Sequence, residues 1–121
     1  MKQSPIFVRT YDFLRWLIPA TVKFPRQQRF VLAAALQRSG LAFQERLIEA
    51  ALRPQPESSL GEADVELTKL RFYLRLSHDL ELLGEKQYAH AAGLVDEMGR
   101  LLGAWKDSLG KRVGAGRGAR P

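Results

Sequence analysis

Cysteine is absent from this 121-residue sequence, which excludes disulfides, thiolate metal sites and cysteine nucleophiles. It also suits a reducing cytoplasm. Histidine is nearly as scarce, with only His78 and His90. There is no His-x-x-x-His pair, and the repeated Glu-x-x-His motif of di-metal helical bundles is missing. Long apolar runs are lacking too. The stretch from Phe13 to Val22 is broken by Arg15 and Pro19, so it is too short to span a bilayer. The opening residues, Met1 to Pro5, hold no apolar core of a secretion signal. A soluble, cytoplasmic protein with no membrane partner is expected. No segment alternates β-branched and polar residues, so strands are not expected. The glycines near the C-terminus follow no strand and open no helix, which removes a phosphate-cradling loop. Ser77, His78 and Asp79 are consecutive, so on a helix they point in different directions and cannot form a triad among themselves. No catalytic residue, metal or cofactor is expected, and the chain reads as a binding protein.

Net charge is +6, unevenly spread. Residues 1–56 hold nine basic and three acidic side chains, residues 57–109 six and ten, and residues 110–121 four and none. Such asymmetry fits a polyanion partner, an acidic protein partner or self-assembly through complementary faces, and also plain solvated charge.

Helical periodicity runs through most of the chain. The spacing predicts a first helix over 6–23, with Phe7, Tyr11, Leu14, Ile18 and Val22 on one stripe. Pro19 predicts a kink near Arg15 and Trp16. Phe13 and Trp16 fall off that stripe and belong either to a second core wall or to a subunit contact. Pro25 restarts the chain, and a second helix is predicted over 26–52. It carries two stripes, Phe30, Ala34, Leu41, Ile48 and Leu52, and Leu32, Leu36, Phe43 and Leu47. Gly40 in its middle implies close packing or a kink. Pro54 and Pro56 end it, and Ser59 with Glu62 has capping-box spacing. A third helix over 60–83 carries Leu60, Ala63, Leu67, Leu70, Leu74 and Ser77, with Gly84 as its stop. A fourth over 85–109 carries Tyr88, Ala91, Val95, Met98, Leu102, Trp105 and Leu109 at unbroken steps of three and four, the pattern of a bundle seam. Gly93, Gly99 and Gly103 add small positions, and Gly110 ends the helix. Four helices with short links predict an all-α, up-down-up-down four-helix bundle over 1–109. Residues 110–121 predict a disordered basic tail.

The chemistry on offer is basic. Arg71 and Arg75 are four apart and share a helix face. Arg26 and Arg29 sit in a first helical turn, against the helix dipole, which suggests an anion contact or a tolerated cost. Lys111, Arg112, Arg117 and Arg120 make either a flexible polyanion-binding arm or a solubilising tail. No zinc finger or aromatic RNA-recognition motif is present, so binding is expected to be weakly sequence-specific. Phe13, Trp16, Phe43 and Phe72 exceed what one seam needs. They are candidates for an oligomer interface, or else they thicken the monomer's core.

Two strings carry a family resemblance: Leu70-Arg71-Phe72-Tyr73-Leu74-Arg75, and Gly99-Arg100-Leu101-Leu102-Gly103-Ala104-Trp105. Together with Tyr11 and Phe24-Pro25-Arg26, they resemble the accessory variability determinant (Avd) proteins of diversity-generating retroelements. Those belong to a wider four-helix-bundle group that includes proteins encoded in ribosomal RNA intervening sequences. The resemblance implies a homopentameric ring with a basic surface. It further implies binding to a reverse transcriptase and to RNA or DNA, in support of mutagenic reverse transcription, with no catalysis by the protein itself. It points to Arg71, Arg75 and Arg26 as contact residues. The alternative is an intervening-sequence type of bundle with an RNA- or ribosome-related role and no reverse transcriptase.

Overall fold

The computed structural model describes the backbone of residues 4–118 and the side chains of residues 4–111. Among the described residues there are four helical rods and no strand. Helix α1 is Pro5–Val22. Helix α2 is continuous through Arg26–Gln28, a π-helical stretch Arg29–Ala33, and Ala34–Leu52. Helix α3 is Glu57–Asp79 and α4 is Glu85–Gly118. Among the described residues, no helix is long and apolar enough to cross a membrane.

Cross-links between helices show the topology. Gln37 donates to Thr21 at 2.8 Å, while Gly40 faces Leu14 and Leu17, so α1 and α2 run antiparallel. Lys106 pairs with Asp64 and Arg71 with Asp96, which makes α3 and α4 antiparallel. Arg9 reaches Glu97 at 3.1 Å and Trp16 lies 5.6 Å from His90, so α4 closes the ring against α1. Arg46 bridges to Glu62 between α2 and α3. The result is an up-down-up-down four-helix bundle.

The third and fourth predicted stripes are the buried ones. Leu60, Ala63, Leu67, Leu70, Leu74 and Ser77 line the core from α3, and Ala91, Val95, Met98, Leu102 and Leu109 line it from α4. Helix α1 departs from its predicted stripe. Ile6, Thr10, Phe13, Leu17 and Thr21 point inward, while Tyr11, Ile18 and Val22 are exposed. Two buried threonines made that inward stripe look polar in the sequence. Their hydroxyls are satisfied locally, by donation to the carbonyls of Ile6 and Leu17, four residues back, so burial leaves no orphan donor.

On α2 the stripe Leu32, Leu36, Phe43 and Leu47 is buried, and Phe30, Leu41, Ile48 and Leu52 face out. Gly40 provides close packing: a Cβ there would stand 2.9 Å from Leu14 Cδ2 and 3.1 Å from Leu17 Cδ2. Gly93 and Gly103 have nothing within 4 Å of such an atom, so close approach explains neither.

Helix ends also depart from expectation. Helix α3 starts at Glu57, so Ser59 is inside it and buried, and Glu62 pairs with Arg46 instead of capping. The helix stops through Glu81, whose φ is 63°, while the Leu82 N–H reaches back to the Ser77 carbonyl at 2.8 Å. Glycine is the usual residue there, and a left-handed non-glycine residue costs roughly 1 kcal/mol. Gly84 instead precedes α4, with its N–H held by the Gln87 side chain at 3.0 Å, the backward half of a capping box. At the far end, α4 does not stop at Gly110, which lacks the positive φ of a helix-ending glycine.

Candidate nucleic-acid interface

The structure separates the sequence-derived cations into three groups. Arg26 and Arg29 lie at the α1–α2 corner, where Phe24 is buried and pins the turn. Both are exposed. Neither forms an ion pair among the described residues, and the same holds for Arg15, Lys23 and Arg38. Lys23 thus joins Arg26 and Arg29 in one corner with no acidic neighbour holding it. Sequence reasoning missed Lys23, although its place just before Phe24-Pro25-Arg26 was a usable signal. The π-helical turn that follows begins at Arg29. Insertions of this kind are frequent at functional sites, and here the turn leaves Phe30 80% exposed while Leu32 and Ala33 turn inward.

Arg71 and Arg75 form the second group, on the side of α3 that faces α4. Their ion pairs are long, with Arg71 Nη2 3.7 Å from Asp96 and Arg75 Nε 3.8 Å from Asp79. Gly99 positions Arg71: a Cβ there would stand 2.5 Å from its Nη2, so the guanidinium lies across α4 because no side chain obstructs it. The two arginines flank a cleft of about 280 Å³ whose other walls include Leu74, Tyr88, Val95 and Asp96. Tyr88 reads in the sequence only as a seam residue, and no motif there singles out Asp96.

Beyond this cleft, His78 stacks on Tyr88 with ring centroids 4.5 Å apart and donates to Glu85 at 2.7 Å. That hydrogen bond raises the His78 pKa above its ordinary value, the nearby carboxylate charges add to the rise, and desolvation opposes it. Because α1 and α3 run up and α2 and α4 run down, the corner cations and the α3–α4 cleft lie toward the same end of the bundle. Lys111 is exposed near the opposite end. The side chains of Arg112 and Arg117, and Arg120 as a whole, lie outside the described residues.

Two proposed interface aromatics are corrected. Phe13 and Phe43 are 0% exposed within a single chain, so they belong to the core and cannot reach a neighbouring subunit. Trp16 is half-buried beside Phe13 and His90, in the contact between α1 and α4. Phe72 is 64% exposed and stays available.

A larger apolar surface replaces the lost aromatics. In helical projection, Tyr11, Ile18 and Val22 flank the side of α1 that meets α2. Phe30, Leu41 and Ile48 flank the side of α2 that meets α1. The two stripes therefore share the outer face of one helical hairpin, and all six residues are exposed. Val65 and Phe72 form a second exposed patch, on the outer side of α3.

No curated protein matches the sequence. The family model described as bAvd-like matches residues 6–109, from the first turn of α1 to the last core residue of α4. The match spans all four helices of the bundle, both basic groups within it and the two sequence strings on α3 and α4, and on this ground the chain belongs to the bAvd-like family.

Proposed function

We propose that this chain is a non-catalytic accessory protein of a diversity-generating retroelement. In this reading it assembles into a homopentameric ring in the cytoplasm, binds nucleic acid with weak sequence specificity, and holds the retroelement's reverse transcriptase during mutagenic reverse transcription. The family match over nearly the whole bundle is the observation that carries the reading.

Electrostatics and surface chemistry support it. Lys23, Arg26 and Arg29 are cations without a carboxylate partner among the described residues, so they are free to replace the counterions of a phosphate backbone. Assembly has a physical motive in the outer face of the α1–α2 hairpin, since monomers rarely leave contiguous apolar surface of that extent in water. Five copies in a ring require a head-to-tail contact between two different patches. The hairpin face and the Val65–Phe72 patch on α3 supply two.

Co-expression with the reverse transcriptase of the same retroelement tests the reading. The two proteins are expected to elute together with bound RNA. Changing Lys23, Arg26 and Arg29 to alanine is expected to flatten the salt dependence of single-stranded RNA binding, by about 0.7 in log–log slope for each phosphate that is no longer neutralised. Separate elution, with no retained RNA, would contradict the proposal.

A further inference from the structure

We infer that the α3–α4 cleft is a receptor for one unpaired base of a single-stranded polynucleotide, with Arg71 and Arg75 holding the phosphates on either side. This deepens the proposed function and rests on the chain binding nucleic acid.

Three features carry it. The first is shape and lining. The cleft encloses about 280 Å³, at or just below the small end of ligand pockets, so it suits a single heterocycle. Its lining combines Leu74, Ala92 and Val95 with the ring of Tyr88. Apolar and aromatic walls are what a splayed-out base needs, because every base offers a π-face and an apolar plane.

The second feature is the placement of charge. Arg71 and Arg75 are one helical turn apart on the same wall, and both are solvent-accessible in long, loose ion pairs. Their carboxylate partners are exchangeable for phosphate at little cost, since exposed pairs of this kind contribute little stability. Guanidinium groups also bind phosphate oxygens in bidentate fashion.

Asp96 is the third feature. It lines the same cleft and, as a carboxylate, can only accept hydrogen bonds. Once Arg71 turns to a phosphate, the Asp96 oxygens are left facing the edge of the bound base. An acceptor there favours an exocyclic amino group, as on cytosine N4, over the carbonyl at the same position of uracil. A base locked in a duplex cannot enter, so the cleft selects single strands.

The test uses fluorescence anisotropy with labelled RNA of about a dozen nucleotides, the length scale of single-strand sites. The wild-type chain is compared on oligocytidine, oligouridine and a duplex of equal length at one salt concentration. We expect single strands to bind about tenfold more tightly than duplex, with oligocytidine ahead of oligouridine. Ala92→Phe fills the cleft. It is expected to remove the single-strand advantage and leave duplex binding and its salt slope unchanged, with helical circular dichroism reporting that the bundle is intact. Asp96→Ala, at an exposed position, is expected to erase the cytosine preference and retain single-strand binding. Equal affinity for single strand and duplex, or Ala92→Phe binding like wild type, would overturn the base receptor and leave the wider function standing. No binding to any of the three RNAs would overturn both.

Discussion

His78 shows how one side chain can couple the solvent's proton activity to this fold. It lies three residues before the left-handed turn at Glu81, and it ties the end of α3 to the start of α4 through Glu85 while covering one face of Tyr88. Its folded-state pKa is raised above the ordinary histidine value by that carboxylate. The imidazolium form is thus favoured by folding. The stabilisation is fully present below the unfolded pKa, about 6.5, and is lost as pH rises through the higher folded value. Thermal melts of wild type and Glu85→Gln across this range check the point: the wild-type advantage is expected to be largest near pH 6 and to shrink on going to alkaline pH. An advantage that grows with pH would show that the pair does not act through the imidazolium. No local signal announces this cluster, because the seven-residue separation of His78 and Glu85 closes only when the corner between them folds.

At the scale of helices, legibility followed the chemistry of the stripes. Helices α3 and α4 bury leucine, valine, methionine and alanine at steps of three and four, with Ser59 and Ser77 as polar members at the two ends of α3, so periodicity alone identified their inward faces. Helix α1 buries Thr10 and Thr21 and exposes Tyr11, Ile18 and Val22. A hydrophobicity pattern ranks those two sets the wrong way round, since it cannot see a threonine hydroxyl bonded back to its own helix. On α2 both stripes were visible, but no local signal says which of two apolar faces goes inside. The packing of Gly40 against Leu14 and Leu17 settles it, and this is a tertiary fact. The candidate cations divide similarly. Arg26 and Arg29 were legible as poorly placed charges at a helix start, while the cleft between Arg71, Arg75, Tyr88 and Asp96 depends on the register of α3 against α4. The outer face of α1–α2 yields a prediction of its own. Leu41→Glu with Ile48→Glu places two charges on exposed positions, so the bundle is expected to keep its helicity and, within about 0.5 kcal/mol per site, its intrinsic stability. Assembly is expected to be lost, as seen in sedimentation velocity. Unchanged sedimentation would remove this face from the interface.

Taken whole, the molecule carries an imbalance of charge and an imbalance of apolar surface, and both concentrate on the first half of the chain. The α1–α2 hairpin holds the exposed apolar face and the corner cations, while the α3–α4 hairpin holds most of the carboxylates. A head-to-tail ring relieves both imbalances by setting the hairpin of one copy against the α3 side of the next. It also repeats the corner cations and the α3–α4 cleft around an axis, so that a single polynucleotide meets several sites of modest individual affinity. Function in this reading depends on that ring, and the native mass of the purified full-length chain by light scattering tests it most directly. A single species near five times the 13.7 kDa subunit is expected, while a sole species at 13.7 kDa across the concentration range would contradict the ring.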